Sequence, residues 1–368
     1  MIEHKFNIVI FSYKLYFIIY MTEARILIDD SRKPDDFKNI TFSKFEKNKV
    51  IAELLSCLIN AKLEESLYWT AELVCAGHYL DLWDTILLFV SKNIHLGNPK
   101  LPIYILMRFN NFKEIIKKYE IGSLDVRNNE QLRHIFAEII CVLWQSKKKH
   151  SIEIVKLTSA DFVLSEMTMK LRAPDTTFVN DVFKPDDPKE IYIALNELAF
   201  HVSPNSKNCI SACYWLEWIL EFENTNKKKR IKCLAHKRTF AGVSVEYEHD
   251  IIWIIWDILL TKSTNSIHTK IINSLLGLYS MHFSLVLKKK RRFIIYFAIS
   301  ILTDHVDLTV DIIIDMDSIN TILSKNKNIY RDVKKNEIST EHTEIVTSKI
   351  DKIGQAFSKL NGLIPGLK

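Results

Sequence analysis

Glycine is what this chain has least of for its size. Of 368 residues only 8 are Gly and 8 are Pro, against usual shares of roughly 7% and 5%. Rossmann sheets, sandwiches and barrels spend glycine on phosphate loops, bulges and tight turns. A chain this short of it is expected to be mostly helix with brief connections. The same shortage removes whole classes of chemistry. No GxxxxGK[ST] loop and no GxGxxG turn occurs, nor a GxSxG, HExxH or CxxC motif, which argues against the common nucleotide-driven, hydrolase and zinc-protease designs. The six cysteines (Cys57, Cys75, Cys141, Cys209, Cys213, Cys233) sit among apolar neighbours without paired spacing. That pattern suits reduced thiols in a cytosolic or nuclear compartment better than a disulfide framework.

What is present is apolar bulk and clumped positive charge. Hydrophobic residues make up 48%, charged residues 26%, and the formal net charge is +6. "FNIVIFSYKLYFIIYM" (residues 6–21) is the most apolar stretch near the start. It is interrupted by Lys14 and falls short of the roughly 20 residues a span needs. Met21 is the expected start of translation, with residues 1–20 as an upstream extension. No membrane association is expected.

Apolar residues recur at helical spacing from Val50 to Ile59. Further helices are expected from Leu67 to Cys75, closed by Gly77, and over Tyr79–Ile94, stopped by Gly97, Asn98 and Pro99. Residues 129–149 make an amphipathic helix ending in lysines. "RAPDTTFVNDVFKPDDPKE" (residues 172–190) brings three prolines and four aspartates and reads as a linker. "DIIWIIWDILL" (residues 250–260) is apolar nearly all round and is expected to be a central buried helix. The expectation is an all-α fold of two lobes of antiparallel helical hairpins with no substantial sheet. An N-terminal extension over 1–34 precedes lobes at 35–171 and 191–306. The linker 172–190 joins them, and a tail over 307–368 ends in a short helix. Tyr68-Trp69 and Tyr214-Trp215 recur 146 residues apart; with Trp253 and Trp256 they are the expected structural core, since such rings bury area while keeping a polar handle.

Three basic clusters dominate the expected surface. The first is Lys147–Lys149 with His150. The densest is Lys227, Lys228, Lys229 and Arg230 with Lys232, Lys237 and Arg238. The third is Lys288, Lys289, Lys290, Arg291 and Arg292. All three are expected to be exposed, and the latter two to bind phosphate backbone or an acidic protein. Lysines at a helix C-terminus are also what the helix dipole favours, which accounts for Lys147–Lys149 better than for the five-residue run. Cys209, Cys213, Cys233 and His236 could be assembled as a zinc set, but Cys213 falls on an apolar face as a buried free thiol does; no metal and no cofactor is expected. Glu64/Glu65, Asp186/Asp187 and Asp304/His305 read as solvated faces, and His78, His95 and His201 as caps of helix ends. No catalytic residue is assigned, and the chain is expected not to be an enzyme.

"TFSKFEKNKVIAELLSCL", "YWTAELVCAGHYLDLWD", "SKNIHLGNPKLPIYILMRFNNFKEII", "ACYWLEWILEFE", "DIIWIIWDILL" and "KKKRRFIIYFAISILT", in order, resemble a family of uncharacterised proteins of nucleocytoplasmic large DNA viruses, chiefly algal and mimivirus-like ones. The resemblance implies a viral protein of the host cytoplasm (the virus factory) or of the virion, with no activity to carry over. Locally, Tyr68-Trp69, Gly77, Ser91 and the turn from Ile94 to Pro99 are similar to the helical collar region of clamp-loader-related ATPases, without their motor; this implies a helical oligomerisation module. The expected role is a non-enzymatic interaction or scaffold protein, in virion assembly or at the viral genome. Its expected partners are other viral proteins, with DNA or RNA reached through the basic clusters. The alternative is a nucleic-acid-binding accessory factor in viral replication or transcription.

Overall fold

The computed structural model describes residues 27–339. Among them are fourteen α-helices and no strand, only two isolated bridges, Ile40 with Glu46 and Leu234 with Asp250. The all-α expectation is borne out. All six cysteines are free thiols. No described helix is long and apolar enough to cross a membrane. The apolar stretch at 6–21 and the expected closing helix lie outside the described residues.

The chain forms two compact units, each discontinuous in sequence. The first collects, among the described residues, 27–83, 112–144 and 315–339; the second collects 84–111 and 145–314. This differs from two consecutive lobes joined at 172–190. Helical periodicity identifies elements, but it carries no signal for which distant elements share a core.

In the first unit, α1 (Lys47–Ile59) and α2 (Leu63–Cys75) pack as a hairpin. The start of α3 (Tyr79–Leu88), the end of α4 (Leu101–Ile116) and α6 (Glu130–Gln145) supply an aromatic core of Tyr79, Trp83, Phe112 and Phe136, with ring centroids 5.4–6.2 Å apart. The short α5 (Leu124–Arg127) ends in a buried arginine. Arg127 donates to the carbonyls of Cys75 and Arg32 and pairs with the Asp30 carboxylate. It thereby fixes the extended segment that opens the described chain. Ser31 and Asp30 bond in turn to Ile338. The last helix, α14 (Met316–Lys334), lies against α2, so these residues belong to the unit rather than to a tail.

The second unit is built on the hairpin of α8 (Tyr192–Val202) and α9 (Cys209–Lys228). Around it stand α10 (Ile252–Thr261), α11 (Ser266–Tyr279) and α13 (Arg292–Thr303); the short α7 (Leu164–Lys170) precedes the hairpin in sequence, and the short α12 (Leu285–Lys290) lies between α11 and α13. Seven residues of α10, Trp253 and Trp256 among them, are buried, as its all-round hydrophobicity predicts. Residues 172–190 are bonded into this unit. Glu197 of α8 accepts from the backbone N–H of Arg172 and Ala173, Asn196 donates to the Asp175 carbonyl, and Tyr192 donates to the Thr176 carbonyl and Asn180. Proline and aspartate make turns here, and the turns are anchored to a helix.

The third helix does not run unbroken to Ile94. From Phe89 it loosens into a π-helical turn, Phe89–Ile94, then tightens into a 3₁₀ turn, His95–Gly97. Such turns are uncommon and carry a local cost. His95 takes φ 48 and ψ −131, backbone that suits glycine. A Cβ on Gly97 would stand 2.1 Å from the Lys147 carbonyl oxygen, so only glycine lets the 147–151 segment lie there. That segment donates Lys149 N–H to Ile94 and Ser151 N–H to Lys92. The His95 ring is 3% exposed and packs 4.7 Å from Phe297, and its Nε2 is buried without a partner.

Burial, with Lys149 nearby, pushes the His95 pKa down to about 4. The folded protein therefore holds the ring neutral, while the unfolded chain protonates it near pH 6.5. The stability this contributes is complete above pH 6.5 and drains as pH falls toward 4. Relative to a His95→Asn variant, the native chain is expected to lose on the order of 3 kcal/mol more stability between pH 7 and pH 4, measured by urea melts across that range. Parallel pH profiles for the two chains would contradict this assignment.

Candidate functional site

The expected core aromatics divide. Trp215, Trp253 and Trp256 are buried, whereas Tyr68, Trp69 and Tyr214 are half-buried. Each Tyr-Trp pair sits at the same place in its helix, the Tyr five residues after Leu63 or Cys209. The rings of both pairs meet edge to face at 5.1 Å.

The basic clusters divide more sharply. Helix α9 is capped by Asn208, whose side chain accepts the Ser211 N–H. It continues to Lys228, so Lys227 and Lys228 are helical. It ends in a Schellman motif: Ile231 N–H donates to the Asn226 carbonyl and Arg230 N–H to that of Lys227, with Arg230 at φ 61. Glycine usually fills that position. An arginine there costs about 1–2 kcal/mol and holds its cation at the helix end. Lys227, Lys228, Lys229, Arg230 and Lys232 are all exposed.

Lys237 and Arg238 are used differently. Lys237 pairs with Glu248 at 2.9 Å. Arg238, 3% exposed, places both terminal nitrogens 2.7 Å from Asp187 and its Nε 2.6 Å from Asp257. Asp187 also accepts from the N–H groups of Lys184 and His236. Its carboxyl lies below the usual range: burial acts to raise it, and the bonds from Arg238 and the backbone outweigh that. Asp187 is thus a buried anchor, and its expected place on a solvated face is corrected.

Lys288, Arg291 and Arg292 also depart from expectation. Lys288, 3% exposed, projects from α12 and places Nζ 2.5 Å from Glu223 of α9 and 2.5 Å from Asp250. Asp250 in turn caps α10 through the Ile252 N–H. Arg291 is buried, donating to the carbonyls of Tyr279 and Met281 and pairing with Asp84 at 2.8 Å. Arg292, half-buried, pairs with Glu217 at 2.9 Å, and Tyr296 donates to the other oxygen of that carboxylate. Only Lys289 and Lys290 of this run are exposed. Successive residues of a helix are turned by about 100° around its axis, so a run of five cations cannot all face water. Those turned inward needed carboxylates, and found them on α3, on α9 and at the head of α10.

Beside the Lys288 ion pairs an open cavity of about 440 Å³ is lined by three cations, Lys227, Arg230 and Lys232, and three carboxylates, Glu223, Glu246 and Asp250, together with Cys233, and Ile231, Leu234 and Leu285 are exposed at it. Burial pushes the Glu223 carboxyl up, with Lys288 opposing, and pushes the Cys233 thiol up to about 11. Seven of the twelve expected binding residues therefore remain open to a partner: Lys227, Lys228, Lys229, Arg230, Lys232, Lys289 and Lys290. The zinc set does not assemble. Cys209 bonds to Ser300 at 3.2 Å, Cys233 lines the cavity beside Lys288, and His236 meets Asp186 at 3.0 Å. No group of three metal-ligating side chains occurs among the described residues.

Replacing Lys288 by Met leaves the Glu223 and Asp250 carboxylates facing each other with no cation between them. A loss of about 3–5 kcal/mol is expected at pH 7.5. The deficit should shrink at pH 5, because protonating Glu223 removes the repulsion, and adding Glu223→Gln should recover part of it. Thermal melts at the two pH values check this; an equal deficit at both would show that the charges are not the cause.

Comparison of the chain with protein-family models, with curated proteins and with solved structures yields no match.

Proposed function

We propose that the chain is a non-enzymatic helical interaction protein whose second unit holds an acidic macromolecule on the surface around the C-terminal end of α9. The observation that carries this reading is the separation of the cations into two kinds. Arg238, Lys288, Arg291 and Arg292 are consumed in ion pairs with Asp187, Glu223, Asp250, Asp84 and Glu217, whereas the five cations Lys227, Lys228, Lys229, Arg230 and Lys232 stand exposed. Helix-dipole solvation explains two lysines in a last turn. It does not explain why the cations continue beyond the helix, nor why an arginine occupies a left-handed position. A concentrated set of exposed cations attracts a polyanion by long-range steering and counterion release. The likeness to proteins of large DNA viruses supplies the setting, virion assembly or the viral genome; a replication or transcription accessory factor is the alternative within it.

Binding is tested by fluorescence anisotropy against salt, with a labelled oligonucleotide and a labelled Glu/Asp-rich peptide. Lys227→Glu/Lys229→Glu/Lys232→Glu is expected to weaken binding at least tenfold and to reduce the salt slope by about one for each phosphate contact removed. Arg230→Gly serves as a folding control, because it relieves the left-handed strain: affinity should fall while thermal stability holds or rises by about 1 kcal/mol. Unchanged binding in the charge-reversed chain, or turnover of a nucleotide or nucleic acid that a point substitution abolishes, refutes the proposal.

A further inference from the structure

Helix α9 carries two stripes in its last turns. Glu223, Lys227 and Arg230 face the cavity beside the Lys288 ion pairs. Phe222, Thr225, Asn226 and Lys229, spaced three and four apart as neighbours on one helix face are, line a second open cavity of about 630 Å³, with Trp218 and Phe162. That volume is in the range of small-molecule sites. Its wall is aromatic and ordered. Trp218 stacks against Phe222, centroids 5.4 Å apart and planes 12° apart, and against Phe162, 5.1 Å and 27°. The indole is fixed by its Nε1, which donates to the Asp161 carbonyl at 2.9 Å. The turn bearing Phe162 is locked by Asp161, whose carboxylate accepts from the Thr158 N–H and from Tyr214 and pairs with Lys170. Phe162 and Phe222 are half-buried, so each leaves ring surface open to the cavity.

Resting on the polyanion reading above, we infer that the acidic partner is single-stranded nucleic acid and that this cavity takes an unpaired base. A rigid flat apolar wall is what a base stacks on. Ser159, Thr225, Asn226 and Glu221, whose carboxylate also accepts from Asn224, supply donors and acceptors for the edge of a base. Lys229, at the same cavity, belongs to the exposed run that would follow the phosphates, so one helix end offers both a stacking surface and a backbone track. A duplex keeps the faces of its bases covered by their neighbours and has nothing to insert. An acidic peptide matches the charge but leaves the stacked wall unused.

The test compares labelled oligothymidine of about 20 nucleotides, longer than the roughly 4–16 that one module covers, with an abasic strand, a blunt duplex of equal length and a Glu/Asp-rich peptide. Native protein is expected to bind oligothymidine about tenfold or more tighter than the abasic strand or the duplex. Phe222→Leu, which keeps apolar volume, should lower oligothymidine affinity to the abasic level without changing the salt slope, and Phe162→Leu should act in the same direction. Lys227→Glu/Lys229→Glu/Lys232→Glu should weaken all strands and flatten the slope. Equal affinity for oligothymidine, abasic strand and duplex, or no effect of Phe222→Leu in a chain that still melts cooperatively, overturns base stacking and leaves the polyanion reading standing. Binding of the peptide alone does the same. Binding of none of the four probes overturns both.

Discussion

A cation taken out of water must meet a carboxylate, and the irregular parts of this protein are held in place by that requirement. Arg127 with Asp30 fixes the opening segment of the first unit; Arg238 with Asp187, and Lys288 with Asp250 and Glu223, fix the loops of the second. Each cation lies on a short helix or a loop, and each reaches a residue far away in sequence. Such pairs gain little net free energy once desolvation is counted, but breaking one leaves a buried charge at a cost of about 3–5 kcal/mol. Their effect is to single out one arrangement: a loop that drifts loses its only acceptable partner. Helices pack by shape and apolar area, which tolerate small slips. The loops between them carry less apolar area to hold them, and charge supplies the missing selectivity.

The same requirement marks the limit of what could be read from the sequence. Fold class was legible, because a shortage of glycine and an apolar period of 3.6 residues are local properties. The buried helix around Trp253 and Trp256 was legible for the same reason. Membership of the two units was not, since nothing in the residues of α14 announces that they lie against α2. Among the basic residues, composition could mark the clusters but not the side of the chain on which each cation falls. Lys288 and Lys289 are neighbours of one type, yet one is buried and the other exposed. No local signal separates them, since the carboxylate that Lys288 meets, Glu223, lies 65 residues earlier in the chain. The stacked rings of Phe162, Trp218 and Phe222 were likewise invisible, since Phe162 comes from a turn more than fifty residues before the Trp218 it meets. The segment Phe89–Ile94 reads as plain helix because apolar spacing does not distinguish α from π.

Scarce glycine has a structural counterpart in the backbone. Six residues other than glycine, Lys44, Ala61, His95, Lys207, Arg230 and His282, adopt positive φ, against three glycines among the described residues. Turns that most proteins would relax with glycine are here held by side chains with other work: His95 fills the space beside Phe297, and Arg230 presents its charge at the end of α9. The strain is small at each position and is offset by the packing of long helices on either side.

One unit is interrupted by the other along the chain, and α14 completes the first only after every residue of the second has been made. During synthesis the 145–314 segment emerges with its sequence neighbours already present, whereas α2 waits with an uncovered apolar flank until α14 leaves the ribosome. Vectorial folding therefore runs inside out: the enclosed unit can settle first, and the enclosing one closes last, exposed in the interval to chaperones or to another nascent copy of itself.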